Sequence, residues 1–487
     1  MIIDSEGMKA MERESGLSVE KLMEKAGSSL ADAIKKELKK KDNVLILCGN
    51  GNNGGDGFVL CRLLKDYACK VVLVSGKPKT DAAKKNYEKL TKKQIVDIKN
   101  IEKEIEKADV IIDAVYGFGY KGQLRPALRD IFVLVNHSKA RVYSIDINSG
   151  SEADTGYHDS CAIHSSITYA LDCLKPVHVL KKEHNLFDKV ELLSLDLPHI
   201  IESKFHEMNE DIFFENFPKK KENSYKGTFG RTLIAGGCFG MAGAITLNIL
   251  GARSVGTPYI DVALPEDIYP IVANQHVSSV YHPFGYHTGE QVIEPLVKTA
   301  KATLFGSGAV YMNRKLECLD MILQNSKGPV VLDAEALRLL HQNTYILRFV
   351  KCPMIITPHI AEFAGMVNQP MDVIMDHRIE YATKFAKEHQ LIVVLKGSNT
   401  IVASPNGDVY INQTGNQALA QAGSGDLLAG MIVGILTFTR DVYTAVCMAV
   451  WLHGHIADLG AQKYSMQCFD FKHYPELADE FFKQHGY

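Results

Sequence analysis

Two glycine-rich turns in this 487-residue chain carry the residue types best suited to chemistry. The first, Gly49-Asn50-Gly51-Asn52-Asn53-Gly54, matches G-x-G-x-x-G, follows the apolar run NVLILC (43–48) and precedes a helical stretch near 57–66. Backbone N–H groups at such a helix start attract an anion, and glycines let a phosphate come close. A tight turn with no ligand satisfies the same pattern. Asn52, Asn53 and Asp56 add side-chain oxygens at a density that suits a cation or a polar ligand. The second turn, Gln421-Ala422-Gly423-Ser424-Gly425-Asp426, leads into LLAGMIVGILTF. Small residues there expose N–H groups that, with the helix dipole, form a hole for phosphate oxygens. Asp426 in the first helical turn can accept a hydroxyl proton during phosphoryl transfer. An aspartate that merely offsets the dipole is the plainer alternative.

Further polar groups stand where apolar runs end. Asp113 in IIDAVYGFG is followed by Gly117, Gly119 and Gly122, and Asp146 in SIDINSG is followed by Ser149. In the second half Asp333 ends VVLDAE, Thr357-Pro358-His359 precedes Glu362, and Lys396-Gly397 ends LIVVLKG. Each residue alone reads as a cap or turn, and His359 equally as a core histidine. Together they fall at strand ends, where open parallel sheets bind ligands. The second strand ends in Ser75-Gly76-Lys77-Pro78-Lys79, without the acidic residue that holds a dinucleotide ribose, so an ordinary NAD-dependent dehydrogenase is disfavoured.

The elements that must position these groups alternate. A helix is expected over 17–40, with strands at 43–48, 71–75, 109–117 and 140–147. After a charged stretch from about 199 to 223, read as a linker with a short docking helix, a second series begins. Strands are expected at 231–237, 259–265, 302–308, 329–335, 353–359 and 391–397, with a helix at 244–256. Unbroken β-branched runs between helices predict parallel sheets covered on both faces, an α/β class.

Composition sets the bounds. Lys+Arg is 54 against Asp+Glu 57, a net charge of −3, which argues against a nucleic-acid partner. The short basic run Lys219–Lys221 reads as solvated linker. Ten scattered cysteines form no C-x-x-C pair, so no zinc ribbon or disulfide framework is indicated, and a reducing, cytoplasmic setting is expected. The longest apolar run, Leu427 to Phe438, is short of the ~20 residues that span a membrane.

GNGNNGGDGFV, DAVYGFGYKGQLR, SIDINSG and LMEKAG (22–27) resemble the YjeF N-terminal domain, an NAD(P)HX epimerase, over about residues 1–205. The resemblance implies a Rossmann-like three-layer domain that interconverts the C6 epimers of hydrated NADH or NADPH with a bound potassium ion. By motif, Asn53, Asp113 and Ser149 would hold K+. Asn52, Asn53, Gly54, Gly55, Asp56, Gly117, Phe118, Gly119, Tyr120, Lys121, Gly122, Gln123 and Asp146 would contact substrate, with Asp146 the general acid/base. The family has proline where this chain has Asn148.

YKGTFGRTLIAGG, MAGAITL, DAEAL, TPHIAEF, LKGSNTIVA, AGSGDLLAG and WLHGHIADLGA resemble the ribokinase-like, ADP- or ATP-dependent NAD(P)HX dehydratase over about 224–487. That implies nucleotide with Mg2+ at Lys396, Gly397, Ser398, Asn399, Thr400 and Gly425. The hydrate would lie against Ala244, Gly308, His359 and Asp426, with Asp426 catalytic. The family's G-P-G-L-G turn stands here as Gly306-Ser307-Gly308-Ala309-Val310, and its DADAL as DAEAL. The expected organisation is therefore 1–205 epimerase, 206–223 linker and 224–487 dehydratase, with a homo-oligomer and ADP as the favoured donor. The alternatives are ATP, or a sugar or vitamin kinase with a non-catalytic N-terminal binding domain.

Overall fold

The computed structural model describes residues 1–180, 185–225 and 227–487. Lys226, in the motif YKGTFGRTLIAGG, lies outside the described residues. Two compact units divide the chain, Met1–Phe205 and His206–Tyr487.

The strands of the first unit are β1 (Asn43–Cys48), β2 (Ala68–Leu73), β3 (Ile95–Val96), β4 (Val110–Ala114), β5 (Arg141–Ile145), β6 (Ser165–Leu171) and β7 (Phe187–Leu193). They form one sheet in the order β3-β2-β1-β4-β5-β6-β7, every pair parallel. Alternate side chains of β1 feed two cores. Val44, Ile46 and Cys48 pack with the helices Val19–Glu37 and Asn52–Leu63, whereas Leu45 and Leu47 pack with Ile101, Phe132 and Val135 on the other face. The order reverses between β1 and β4, so the carboxyl ends of these two strands open the crevice where such folds bind ligands. Four of the seven strands carry the unbroken apolar runs that the sequence offers. β3 has only two residues, and the edge strand β7 alternates Lys189 and Glu191 with apolar neighbours, so neither announces itself.

The second unit holds β9 (Thr232–Ala235), β10 (Ile260–Pro265), β11 (Val280–Phe284), β12 (Ala302–Phe305), β13 (Val330–Leu332), β14 (Met354–Ile356), β15 (Ile392–Leu395), β16 (Ile401–Ala403) and β17 (Val409–Ile411). With β8 (Phe205–His206) at one edge, the sheet runs β11-β10-β9-β12-β13-β14-β15-β16-β17-β8. It is parallel from β11 to β15, and β16 and β17 return antiparallel. The order again reverses at a central pair, β9 and β12. The apolar run after Asp426 is a helix, Ser424–Leu436, buried from Leu427 to Leu436. It crosses the helix Ala242–Ser254 at backbone contact: a Cβ on Gly430 would lie 2.1 Å from the Asn248 carbonyl oxygen, and one on Gly251 2.1 Å from that of Leu427. Only glycine allows that approach. The helix Glu210–Asn216, within the stretch read as a linker, sends Phe213 into the core of this unit, 5.3 Å from Trp451. Among the described residues no helix is long and apolar enough to cross a membrane, and the ten cysteines are unpaired.

Candidate active sites in the two units

In the first unit the helix Asn52–Leu63 begins directly on Asn52, with Gly51 as its cap. Gly54, Gly55 and Asp56 are therefore buried in the first turns, while Asn52 is exposed. Any side chain on Gly54 would strike the Gly49 carbonyl oxygen at 2.1 Å, which is why the turn needs glycine there. The Gly117 backbone approaches both Asn53 and Asp146: a Cβ at Gly117 would sit 3.5 Å from Asn53 Oδ1 and 3.1 Å from Asp146 Oδ2. The chain thus brings Asn53, Gly117, Phe118 and Asp146 to one point at the carboxyl edge of the sheet. Lys121, Gly122 and Gln123 are exposed, and the Tyr120 hydroxyl donates to the Gly122 carbonyl at 2.6 Å.

Asp146 holds a positive φ of 63°, a strained backbone of the kind kept where a side chain must be aimed. Its carboxylate is buried. Oδ2 accepts from the Phe118 N–H at 2.9 Å, and Oδ1 from the Lys175 ammonium at 2.8 Å. Lys175 is itself fully buried and donates also to the Leu171 carbonyl at 2.9 Å. His178 accepts the Lys175 N–H on Nδ1 at 3.0 Å, and its Nε2 lies 2.7 Å from the Asp146 carbonyl oxygen. That arrangement calls for the neutral Nε2–H tautomer. Burial first, then the nearby Lys175 charge, pushes His178 down to about 4. Burial, then the Asp146 charge, raises both Asp56 and Glu12 above the usual carboxylate range, so these acids also face Asp146.

Sequence reasoning missed Lys175, His178 and Glu12. The one available signal was a lone lysine in the apolar stretch TYALDCLKPVHVL. Nothing marked Glu12, which sits on the amphipathic helix Ser5–Glu14.

Asp113 is fully buried, and its partners are neutral. Ser149 Oγ donates at 2.5 Å, the Ser149 N–H at 2.8 Å, Ser144 Oγ at 3.1 Å and the Val115 N–H at 3.2 Å. Burial pushes Asp113 up to about 6 in spite of these bonds. A buried carboxylate without a charged partner, hydrogen-bonded to serine hydroxyls, offers the kind of oxygen ligands that fit a monovalent cation.

The Asn148 side chain does by hydrogen bonds what a proline ring would do by covalent stiffness. Its Nδ2 reaches the carbonyls of Ile163 and Leu186, both at 2.9 Å, and Ser165 Oγ at 3.0 Å, while Oδ1 accepts from Thr168 at 2.6 Å. Asn148→Ala removes four hydrogen bonds to two neighbouring segments, around Ile163–Thr168 and at Leu186, and is expected to lower the unfolding free energy of this unit by about 3 kcal/mol, read from its transition in chemical denaturation.

In the second unit Asp333, Lys396, Ser307 and Asp426 share one cluster. Asp333 Oδ1 accepts from Lys396 Nζ at 3.0 Å and Thr357 Oγ1 at 2.7 Å, and Oδ2 from Ser307 Oγ at 3.2 Å. Burial opposes the charge on Lys396, but Asp333 and its neighbours outweigh it and hold the ammonium above its ordinary range. Asn248 donates to the Asp426 carbonyl at 2.7 Å and to Ser307 Oγ at 3.1 Å, so the helix crossing fixes the start of the Asp426 helix. Burial, then the Asp333 charge, pushes Asp426 up to about 6, against a hydrogen bond from Ser307 and the Lys396 charge. A Cβ on Gly425 would lie 3.0 Å from Lys396 Nζ, and one on Gly308 3.0 Å from the Ala244 Cβ.

His359 caps the helix Ile360–Val367, accepting from the Glu362 N–H at 3.2 Å, and its backbone pairs with Lys396. Its ring is exposed, and the other nitrogen, Nε2, lies 3.5 Å from the Glu362 carboxylate. Gly397 and Ser398 are exposed as well. Asn399 is fully buried, donating to the Asn412 carbonyl at 2.8 Å, and Thr400 donates to the Gly397 carbonyl at 3.1 Å. These two brace the loop from inside. His453, on the helix Val442–Lys463, was also missed. Burial pushes it down to about 4, so it stays neutral close to Lys396.

A family model described as NAD(P)H-hydrate dehydratase matches residues 232–474, and one described as YjeF-related protein N-terminus matches residues 19–177. The bifunctional NAD(P)H-hydrate repair enzyme of Archaeoglobus fulgidus is 30% identical over 454 residues, covering 92% of this chain and 91% of its own. The ADP-dependent (S)-NAD(P)H-hydrate dehydratase of Bacillus subtilis is 36% identical over 248 residues, covering 51% of this chain and 87% of its own. The crystal structure of the ADP/ATP-dependent NAD(P)H-hydrate dehydratase of Bacillus subtilis with ATP/Mg2+ has a TM-score of 0.51 and 31% identity. It covers 57% of this chain and 97% of that one.

Proposed function

Because the chain belongs to the family of bifunctional NAD(P)H-hydrate repair enzymes, we propose that its two switch-point clefts serve one damaged cofactor in succession. The first unit interconverts the R and S hydrates of NADH and NADPH. The second removes water from the S hydrate at the expense of ADP. The observation that carries this reading is the pair of strand-end and helix-start aspartates, the buried Asp146 and the half-buried Asp426. Each stands beside a lysine-linked polar cluster at the carboxyl ends of a parallel sheet.

In the first unit the substrate's C6 hydroxyl would lie against Asp146, between the Gly49–Asp56 turn and Gly117-Phe118. Asp146 takes the hydroxyl proton as the C6–N1 bond breaks, its electron pair passing to N1 and C6 becoming an aldehyde. N1 then re-adds to the other face of that carbonyl and Asp146 returns the proton to the oxygen. Lys175 holds one carboxylate oxygen and the Phe118 N–H the other, which fixes the carboxylate plane. Asn53, Asp113 and Ser149 would hold potassium, whose charge would offset the buried Asp113 carboxylate and tie the two loops together.

In the second unit Lys396 to Thr400 and Gly425 would receive the nucleotide, which brings its Mg2+ with it. Ala244, Gly308 and His359 would border the hydrate. Asp426 accepts the C6 hydroxyl proton as that oxygen attacks the terminal phosphorus of ADP, and the bond from this phosphorus to the AMP oxygen breaks. N–H groups at the start of the Asp426 helix stabilise the transferred charge. The N1 electron pair then expels phosphate from C6, C5 loses a proton, and the C5–C6 double bond of the dihydropyridine returns. The products are AMP, phosphate and NADH.

The dehydratase kcat/KM reports the free enzyme, so its acid limb follows Asp426. The carboxylate must be ionised to accept a proton. Activity should therefore be level above pH about 6 and fall tenfold per unit below it. The groups that face Asp426 are Asp333, Lys396, Glu362 and Ser307. Ser307→Ala removes the hydrogen bond that favours the ionised form, and the limb should move upward by about one pH unit.

The assay for the whole reading is product analysis with (S)-NADHX, ADP and Mg2+. AMP, phosphate and NADH should appear in equal amounts. A stable phosphorylated product without NADH would instead identify a small-molecule kinase.

A further inference from the structure

Outside both clefts, three different metal-ligating side chains meet on the first unit. Asp172 and Cys173 follow β6, and His199 arrives 26 residues after Cys173 on the segment that follows β7. His199 Nε2 lies 3.0 Å from Asp172 Oδ2, and Cys173 Sγ lies 3.9 Å from each of these two atoms. A point equidistant from three atoms so spaced is about 2.1 Å from each, close to the bond lengths that Zn2+ makes to carboxylate oxygen, imidazole nitrogen and thiolate sulfur. The other carboxylate oxygen, Oδ1, accepts the Leu195 N–H at 2.8 Å, the outer hydrogen bond that orients a ligating carboxylate. Cys173 and Asp172 are buried, whereas the His199 ring is 49% exposed, which leaves a side open for a water as fourth ligand.

We propose that Asp172, Cys173 and His199 form a Zn2+ site that clamps the 193–199 segment onto the end of β6. Binding replaces the thiol proton of Cys173 by the metal and releases that proton to solvent. The site is independent of the repair chemistry, since none of its ligands belongs to either cleft. It was invisible in the cysteine spacing because its ligands come from two distant segments rather than from one C-x-x-C hook.

The test uses the full-length, untagged protein after chelator treatment, titrated with Co2+ and read by absorption. One equivalent should produce the thiolate-to-cobalt charge-transfer band in the near ultraviolet and the visible bands of a four-coordinate ion. Zn2+ should then abolish both. Cys173→Ser and His199→Ala should each lose the band, and Cys468→Ser, at the exposed cysteine, should keep it. If the buried Cys173→Ser fails to fold, the exposed His199→Ala decides between the outcomes. No band in the parent protein, a band that survives Cys173→Ser, or unaltered cobalt affinity in His199→Ala would each overturn the site.

Discussion

Asp146→Asn is expected to slow interconversion of the R and S hydrates by about a thousandfold, within the range that a general acid/base supplies, while dehydration of the S hydrate proceeds unchanged. The amide keeps the shape of the carboxylate and the acceptor that the Phe118 N–H needs, but it cannot take up the C6 hydroxyl proton. It also leaves Lys175 buried without its counter-ion at a site with no exposure, a loss that costs about 3–5 kcal/mol when one partner of a buried pair is removed. Two readouts are therefore needed. Epimerisation is followed by chromatography of the separated hydrates, and folding of the first unit by its denaturation transition. Adding Lys175→Met to Asp146→Asn removes the stranded charge and should recover stability without recovering epimerisation. A double variant that regained activity would show that Asp146 serves structure alone.

Asp426→Asn is the mirror case, with a sign that separates chemistry from folding. Dehydration should fall by about a thousandfold and epimerisation should stay as it is. Stability should move the other way. Asp426 sits at about 6 in the folded chain, first through burial and then through Asp333, above its unfolded value of about 3.9. A carboxylate raised in this way is most favourable to folding below its unfolded value. It loses stability as pH climbs from about 4 to about 6, and above that the penalty is constant. Asparagine carries no such penalty. The variant should therefore be more stable than the parent at neutral pH, by about 3 kcal/mol, and equal to it near pH 4. An inactive protein that is also destabilised at neutral pH would place Asp426 in the fold rather than in the chemistry.

The sequence made some of this legible for reasons that can be named. Strands buried on both faces must be unbroken apolar runs, so β1, β4 and β5 stood out, and the polar groups at their ends followed. Glycines marked the turns because a Cβ at Gly54 has nowhere to go. The partners that give the aspartates their surroundings left a far weaker trace. Lys175 reaches Asp146 across 29 residues, and Ser307 reaches Asp333 across 26, distances that no local pattern encodes. Asn148 and Ser307 both stand where the resemblance leads one to expect proline, and their meaning was hidden for the same reason. Only the folded chain shows that one side chain ties three segments together and that the other links Asn248 to Asp333. His359 reads as a cap in the structure, and capping is also the plainer of the two roles its sequence position suggested.

The most direct test of two sites acting in turn is the amplitude of NADH recovery from a known mixture of R and S hydrates. The unmodified protein, given ADP and Mg2+, should return all of the reduced-nicotinamide absorbance. Asp146→Asn should stop sharply at the fraction that was S at the start, and Asp426→Asn should return none while bringing the two hydrates to equilibrium. Full recovery by Asp146→Asn at the parent's rate, or recovery by the unmodified protein that halts at the S fraction, would contradict the account.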